Sequence, residues 1–374
     1  MRTKKASLII GAVVCSVLLV IAGTGVGCYY AGKASSPSSE SAVVSYASTE
    51  SNVYSSTAEV VSAVADTVVE ISTESITTQW GKQYIVSGAG SGVIVGKSAS
   101  TYYVITNNHV IDGASEITAR TRSGETYSAT LVATDDSADV AVVKITSENT
   151  LKVAVWGNSD SLKIGEDLIA IGNPLGSLGG TVTKGILSAT GRKITVGNYA
   201  MTLLQTDTAI NPGNSGGGLF NMRGELIGVV NAKTTDEEIE GICFAIPGNT
   251  AKAVYEDLTE YGYIKGRASF PIEVSQGTIS TGILNTQTQT VIYVSAVSDA
   301  PEGTFRQYDK IYKINGVEIT SVLDYNCALA DIAPGDEAEI EVYRGTVTSN
   351  IFGSSISFES ESTTFTIVAS QYGA

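Results

Sequence analysis

His109 is the only histidine among 374 residues, and it stands in ITNNHV, residues 105–110, directly after two asparagines. A single imidazole is ordinarily a surface or core residue, so its meaning depends on what else the chain holds. GNSGG, Gly213 to Gly217, sets Ser215 among glycines. Alone, such a stretch reads equally well as a glycine turn. As chemistry it has a specific mechanism. Glycines let the backbone turn tightly enough to present the Ser215 hydroxyl at the surface and to aim the N–H groups of Gly213 and Ser215 at one point. Two converging donors are what a tetrahedral oxyanion requires. Serine is a poor nucleophile without an adjacent base, and His109 is the sole imidazole available. The base in turn needs a carboxylate to fix its tautomer, and ADVAVVKI supplies Asp139 at the start of a predicted strand. The pattern is that of acyl transfer, with His109 as base, Asp139 as its partner and Ser215 as nucleophile.

The elements that would carry these residues are short strands. TVVEIST, SGVIVG, TYYVITNN, ITARTR, TYSATLVAT, VAVVKI, DLIAIG, GILSATG, MTLLQT, LIGVVNAK and GICFAIP are rich in β-branched and aromatic residues and are separated by Gly, Asn, Asp and Ser. Runs of that length and spacing predict an all-β sandwich or barrel. Only residues 58–66 and 250–261 read as helices, the second with Ala253, Val254 and Leu258 on one apolar face. Two small barrels followed by a helix fit residues 58–262.

The chain order His109, Asp139, Ser215 is that of the chymotrypsin-like arrangement. TNNHV, DVAVVKI, IGNPLG, VTKGILSATGR, TDTAINPGNSGG and GICFAIP, in that order, resemble the HtrA/DegP family of serine proteases over residues 65–248. The resemblance implies a chymotrypsin-like double β-barrel with His109, Asp139 and Ser215 as catalytic triad and Gly213 and Ser215 as oxyanion donors. The position six residues before the nucleophile, at the base of the primary pocket in such folds, is Ala209. With Ile210 beside it, the pocket is expected to be small and apolar and to favour cleavage after small aliphatic residues. Gly218 departs from the proline or alanine of many relatives. Residues 234–241, TTDEEIEG, align with a loop that in relatives switches between ordered and disordered forms; they read equally as an acidic surface hairpin. The resemblance also implies a homotrimer acting on unfolded or misfolded polypeptides.

Ahead of this region, Arg2, Lys4 and Lys5 precede an uncharged apolar run that lasts until Lys33. Residues 6–32 are long enough to cross a hydrocarbon core of about 30 Å as a helix rising ~1.5 Å per residue. Tyr29 and Tyr30 fall where an interfacial aromatic belt would sit, and the leading basic residues place the amino terminus inside. The expectation is a cytoplasmic tail and transmembrane helix over 1–33, with a cleaved signal peptide or a lipid attached at Cys28 as alternatives. The serine-rich residues 34–57 read as a flexible stalk. A net charge of -15 argues against nucleic acid. The cysteines, Cys15, Cys28, Cys243 and Cys327, have no metal-site or disulfide-framework spacing, and neither metal nor cofactor is expected.

Beyond the second helix, QYDKIYKINGVEIT and APGDEAEIEVYRG resemble strands of a PDZ domain, giving a PDZ-like domain over 263–374. Two departures stand out. SFPI places Pro271, which has no N–H, in the carboxylate-binding loop, and the usual Gly-Asp pair is Tyr308-Asp309. The expected protein is mainly β: an anchored, extracytoplasmic serine endopeptidase with one degenerate PDZ domain, serving protein quality control. A regulatory protease dedicated to one membrane partner, or a catalytically silent peptide-binding module, remain as alternatives.

Overall fold

The computed structural model describes residues 43–44, 53–79, 82–173, 180–211, 213–231, 241–281, 287–350 and 353–373. The expected anchor over 6–32, most of the stalk and the loop at 234–240 lie outside them. Among the described residues no helix is long and apolar enough to cross a membrane. The chain divides into two compact units, the boundary falling between Lys265 and Gly266.

In the first unit the elements run β1 (Val43–Val44), α1 (Thr57–Val64), β2 (Val68–Gln79), β3 (Lys82–Ser98), β4 (Thr101–Thr106), α2 (Asn108–Ile111), β5 (Glu116–Arg120), β6 (Thr126–Asp135), β7 (Val140–Thr146), β8 (Val155–Trp156), β9 (Asp167–Gly172), β10 (Thr181–Val196), β11 (Tyr199–Thr206), β12 (Gly218–Asn221), β13 (Glu225–Asn231), β14 (Cys243–Pro247) and α3 (Gly248–Glu260). Two sheets form, in the orders β1-β3-β2-β5-β6-β7-β4 and β12-β9-β10-β11-β14-β13-β8. Further pairing of β3 with β4, and of β12 with β13, closes each sheet into a barrel. Closure leaves few free strand edges.

The alternation of strand side chains explains why these apolar runs are continuous. In β7, Val140, Ala141, Val142 and Val143 are all fully buried. Val140 and Val142 enter an apolar cluster shared with Ile169, Ile171, Leu203 and Phe220 of the second barrel. Ala141 and Val143 enter another, with Ile71, Ile94 and Val104. Both faces of the strand are thus covered, each large aliphatic side chain contributing about 1.5–3 kcal/mol. Helix α1 begins at Ser56, whose Oγ accepts the Glu59 N–H at 3.3 Å, and buries Val60 and Val64. Helix α3 corrects the expected face. Ala253 is exposed, and the buried stripe is Ala251, Val254, Tyr255 and Leu258, the i, i+3, i+4, i+7 spacing of one helix face.

The second unit holds β15 (Ala268–Ser269), β16 (Ile272–Thr281), β17 (Gln287–Val297), β18 (Lys310–Ile314), β19 (Val317–Glu318), α4 (Val322–Ala330), β20 (Glu337–Asn350), β21 (Gly353–Val368) and β22 (Ser370–Gln371). The main sheet runs β16-β17-β18-β20-β21, with β19 on β18 and a separate β15-β22 pair. Phe270, Ile292, Ile311, Tyr325, Ile340 and Val342 are among its core residues. Helix α4 starts with a capping box, Ser321 accepting from the Asp324 N–H and Asp324 from the Ser321 N–H.

The two departures in this unit have local consequences. Tyr308 takes φ +73°, a conformation that costs an L side chain about 1–2 kcal/mol and glycine almost nothing. Asp309 is buried against Arg344, whose Nη1 also donates to Thr304 O at 2.8 Å. Pro271 contributes its carbonyl, which accepts the Ser298 N–H at 2.9 Å.

Candidate active site

His109 is carried on α2, the short helix that follows β4. Asp139 lies at the turn into β7 with φ +51°, and the two asparagines before His109 hold that turn. Asn107 Nδ2 and the Asn108 N–H donate to Asp139 O at 2.9 and 3.2 Å, and Asn108 Nδ2 donates to Asp136 Oδ1 at 2.5 Å. The polar neighbours of the only histidine therefore position its partner's backbone.

The Asp139 side chain meets three donors. Its Oδ1 accepts the His109 backbone N–H at 3.0 Å. Its Oδ2 faces His109 Nδ1 at 2.7 Å and Asn231 Nδ2 at 2.9 Å. A carboxylate only accepts, so Nδ1 carries a proton, and in the neutral imidazole Nε2 then has a free lone pair. The Asp139 side chain is 6% exposed and that of His109 24%, which screens the pair from solvent while leaving the ring accessible.

Ser215 is 8% exposed as a residue, and its hydroxyl bonds no described residue. Its loop lies close to the strand leading to His109. Gly216 has φ +81°, and a Cβ there would stand 2.1 Å from Ser91 O and 3.2 Å from Asn107 N. Only glycine allows that approach. The Gly216 N–H donates to Val230 O at 3.0 Å, and the Gly217 N–H to Asn214 O at 2.9 Å. Among the described residues, no hydrogen bond joins Ser215 to His109, and the N–H groups of Gly213 and Ser215 have no acceptor. Hydrogen bonds of this kind often tighten only when substrate binds.

At the expected pocket, Ala209 is exposed and its carbonyl accepts from Thr183 Oγ1 at 2.9 Å. Ile210 is half-buried against the cluster of Leu168, Leu187, Leu204 and Ile227. Cys243 is buried on β14, and burial pushes its thiol pKa up, the nearby Asp207 carboxylate adding to it and the Ile210 backbone opposing. Gly218 also has a local reason. A Cβ there would lie 2.4 and 2.6 Å from the Phe220 ring, so a larger residue requires Phe220 to move.

One contributor was not anticipated from sequence. Asn231 ends the apolar strand LIGVVN and reaches Asp139 from 92 positions away; a polar residue closing a buried strand was the one available signal. Among the described residues no group of acidic, cysteine or histidine side chains is arranged to hold a metal ion.

Residues 90–229 match the model of the trypsin-like peptidase domain, and residues 280–352 that of the PDZ domain. The chain is 39% identical over 272 residues to serine protease Do-like HtrB of Bacillus subtilis (strain 168), covering 68% of this chain and 59% of that protein. The chain belongs to the HtrA family of serine proteases. Serine protease Do-like HtrA of the same organism is 37% identical over 276 residues, with 69% of this chain and 61% of that protein covered. The match thus spans about six-tenths of these relatives' length. Among solved structures, an HtrA-type protease AlgW with decapeptide superposes with TM-score 0.53 at 30% identity, over 85% of this chain and 99% of that chain. A serine endoprotease from Yersinia pestis gives TM-score 0.52 at 32% identity, over 86% and 99%. In both barrels and in the PDZ unit, then, the fold is that of the family.

Proposed function

We propose that this chain is a serine endopeptidase working through an acyl-enzyme. Ser215 Oγ attacks the substrate carbonyl carbon while His109 Nε2 takes its proton. The carbonyl oxygen, now an oxyanion, is received by the N–H groups of Gly213 and Ser215. His109 then returns the proton to the leaving amine, the C–N bond breaks, and water repeats the sequence to release the acid. The observation that carries this reading is the 2.7 Å contact between His109 Nδ1 and Asp139 Oδ2. It leaves Nε2 as the acceptor the reaction needs.

The proposed substrates are unfolded or misfolded polypeptides cut after small aliphatic residues, with Ala209 and Ile210 forming the pocket. We assign 58–262 to the protease domain, 263–374 to the PDZ-like domain and 34–57 to a stalk. A helix over 6–32 would anchor a homotrimer outside the cytoplasm. Relatives named as periplasmic serine proteases in Haemophilus influenzae and Buchnera aphidicola support an extracytoplasmic setting. A mature chain recovered in the soluble fraction, beginning after residue 30, would replace the anchor with a cleaved leader.

Residues 58–374 incubated with unfolded casein should degrade it, and a serine-directed inhibitor should stop the reaction. The rate on an uncharged peptide should fall as the pH is lowered, because a protonated imidazole cannot accept the serine proton. Inhibitor-resistant proteolysis or a flat pH profile would remove the mechanism. Cleavage of one membrane protein but not casein would favour a dedicated protease instead.

The PDZ-like domain is proposed to pair with extended internal segments. Each N–H bond to a carboxylate is worth about 1.5–3 kcal/mol, and Pro271 removes one such donor from the loop. Amidating the carboxyl terminus of a bound peptide should change its affinity less than about two-fold. A tenfold loss, about 1.4 kcal/mol, would mean the carboxylate is read after all.

A further inference from the structure

We propose that Ser91 is a positioning residue for acyl transfer, holding the nucleophile loop in the shape that aims its oxyanion donors; this rests on the protease reading above. Ser91 is fully buried in β3, and all of its polar groups are engaged. Its N–H donates to Ser215 O at 2.8 Å. Its Oγ donates to Gly213 O at 2.6 Å and accepts the Asn173 N–H at 2.8 Å. Its carbonyl accepts from Thr106 Oγ1 at 2.7 Å. One residue thus ties the nucleophile loop to the end of β9 and to the strand that leads to His109.

The effect on chemistry follows from which peptide planes are held. The Gly213–Asn214 plane lies between the two oxyanion donors, the N–H of Gly213 preceding it and that of Ser215 following one residue later. Its oxygen end is fixed by Ser91 Oγ, and its nitrogen end by the Asn214 N–H donating to Asn211 O at 3.0 Å. Gly213, at φ +96°, has no side chain to restrain it. Without the Ser91 hydroxyl, only the bond within the turn opposes rotation of this plane. Rotation would swing the two N–H groups apart. On the other side of the nucleophile, the plane carrying Ser215 O is held by the Ser91 N–H. The serine therefore acts on both sides of Ser215 without touching substrate.

The test measures kcat, KM and inhibition by a peptide boronic acid, whose tetrahedral adduct occupies the oxyanion site, for the wild type, Ser215→Ala, Ser91→Ala and Ser91→Cys. Removing an oxyanion donor outright costs about 10²–10³ in kcat, so loss of its positioning group in Ser91→Ala should cost about 10–100-fold. KM should stay within about three-fold, boronate affinity should weaken in step with kcat, and the acidic limb of the pH profile should not move. Ser91→Cys keeps the volume and a weaker donor, and should fall between wild type and Ser91→Ala. It also carries the test if Ser91→Ala fails to fold. Ser91 variants with wild-type kcat and boronate affinity, in a preparation where Ser215→Ala is inert, would overturn the role of Ser91 alone. Equal hydrolysis by wild type and Ser215→Ala would overturn the protease reading, and this role with it.

Discussion

Ser215→Ala should reduce peptide hydrolysis by at least about 10³-fold, and by up to about 10⁶-fold, while the fold persists. The expected size follows from what remains. Without Oγ there is nothing to form an acyl-enzyme, and only water held near two oxyanion donors can attack. The expected tolerance follows from the packing. Ser215 is buried, but its hydroxyl bonds no described residue, so an alanine methyl strands no donor or acceptor. Such substitutions usually change stability by less than about 1 kcal/mol. The backbone bonds that shape the loop, from the Ser91 N–H to Ser215 O and from the Gly216 N–H to Val230 O, do not involve the side chain. Peptide turnover and a thermal melt on the same preparation check both halves. Equal turnover by variant and wild type would mean that Ser215 is not the nucleophile.

What the sequence discloses about this site depends on how far each contact reaches. His109 is conspicuous because it is the only imidazole, and GNSGG because five small or polar residues in a row leave little to pack. Asn231 is equally involved in the geometry, yet its contact with Asp139 spans 92 positions, and nothing local distinguishes it from any polar residue at a strand end. Ser91 is hidden for a similar reason, its hydroxyl bond to Gly213 joining positions 122 apart. Strands were legible because β-branched runs are a local signal. Barrel closure through β3–β4 and β12–β13 rests on register between strands, which composition does not encode. Ala253 is small enough to lie on either face of α3, and the buried stripe takes the larger Tyr255 with Ala251, Val254 and Leu258. In the PDZ unit, the sequence displayed Tyr308 as a departure from glycine, but its positive φ emerges only from the folded backbone.

Asp139→Asn should lower kcat by about 10³–10⁴-fold, with KM within a few-fold and stability reduced by only about 1 kcal/mol. Asparagine tolerates the left-handed backbone held at φ +51°, so the turn should survive. The hydrogen bonds decide how its amide settles. The His109 backbone N–H, 3.0 Å from Oδ1, has no alternative to donating, so the amide oxygen is drawn to that side. The amide nitrogen then replaces Oδ2 and faces His109 Nδ1 and Asn231 Nδ2, both of which donate to Oδ2 in the native protein. Both neighbours can adapt. Asn231 can turn its side-chain amide to present oxygen, and the imidazole can move its proton from Nδ1 to Nε2. The His109 backbone N–H and Nδ1 then both keep partners, which limits the stability cost. The catalytic cost is large for the same reason: Nε2 now carries a proton, so it donates towards Ser215 and cannot accept from it. A variant that retained kcat within tenfold of wild type would show that Asp139 does not set the tautomer of His109.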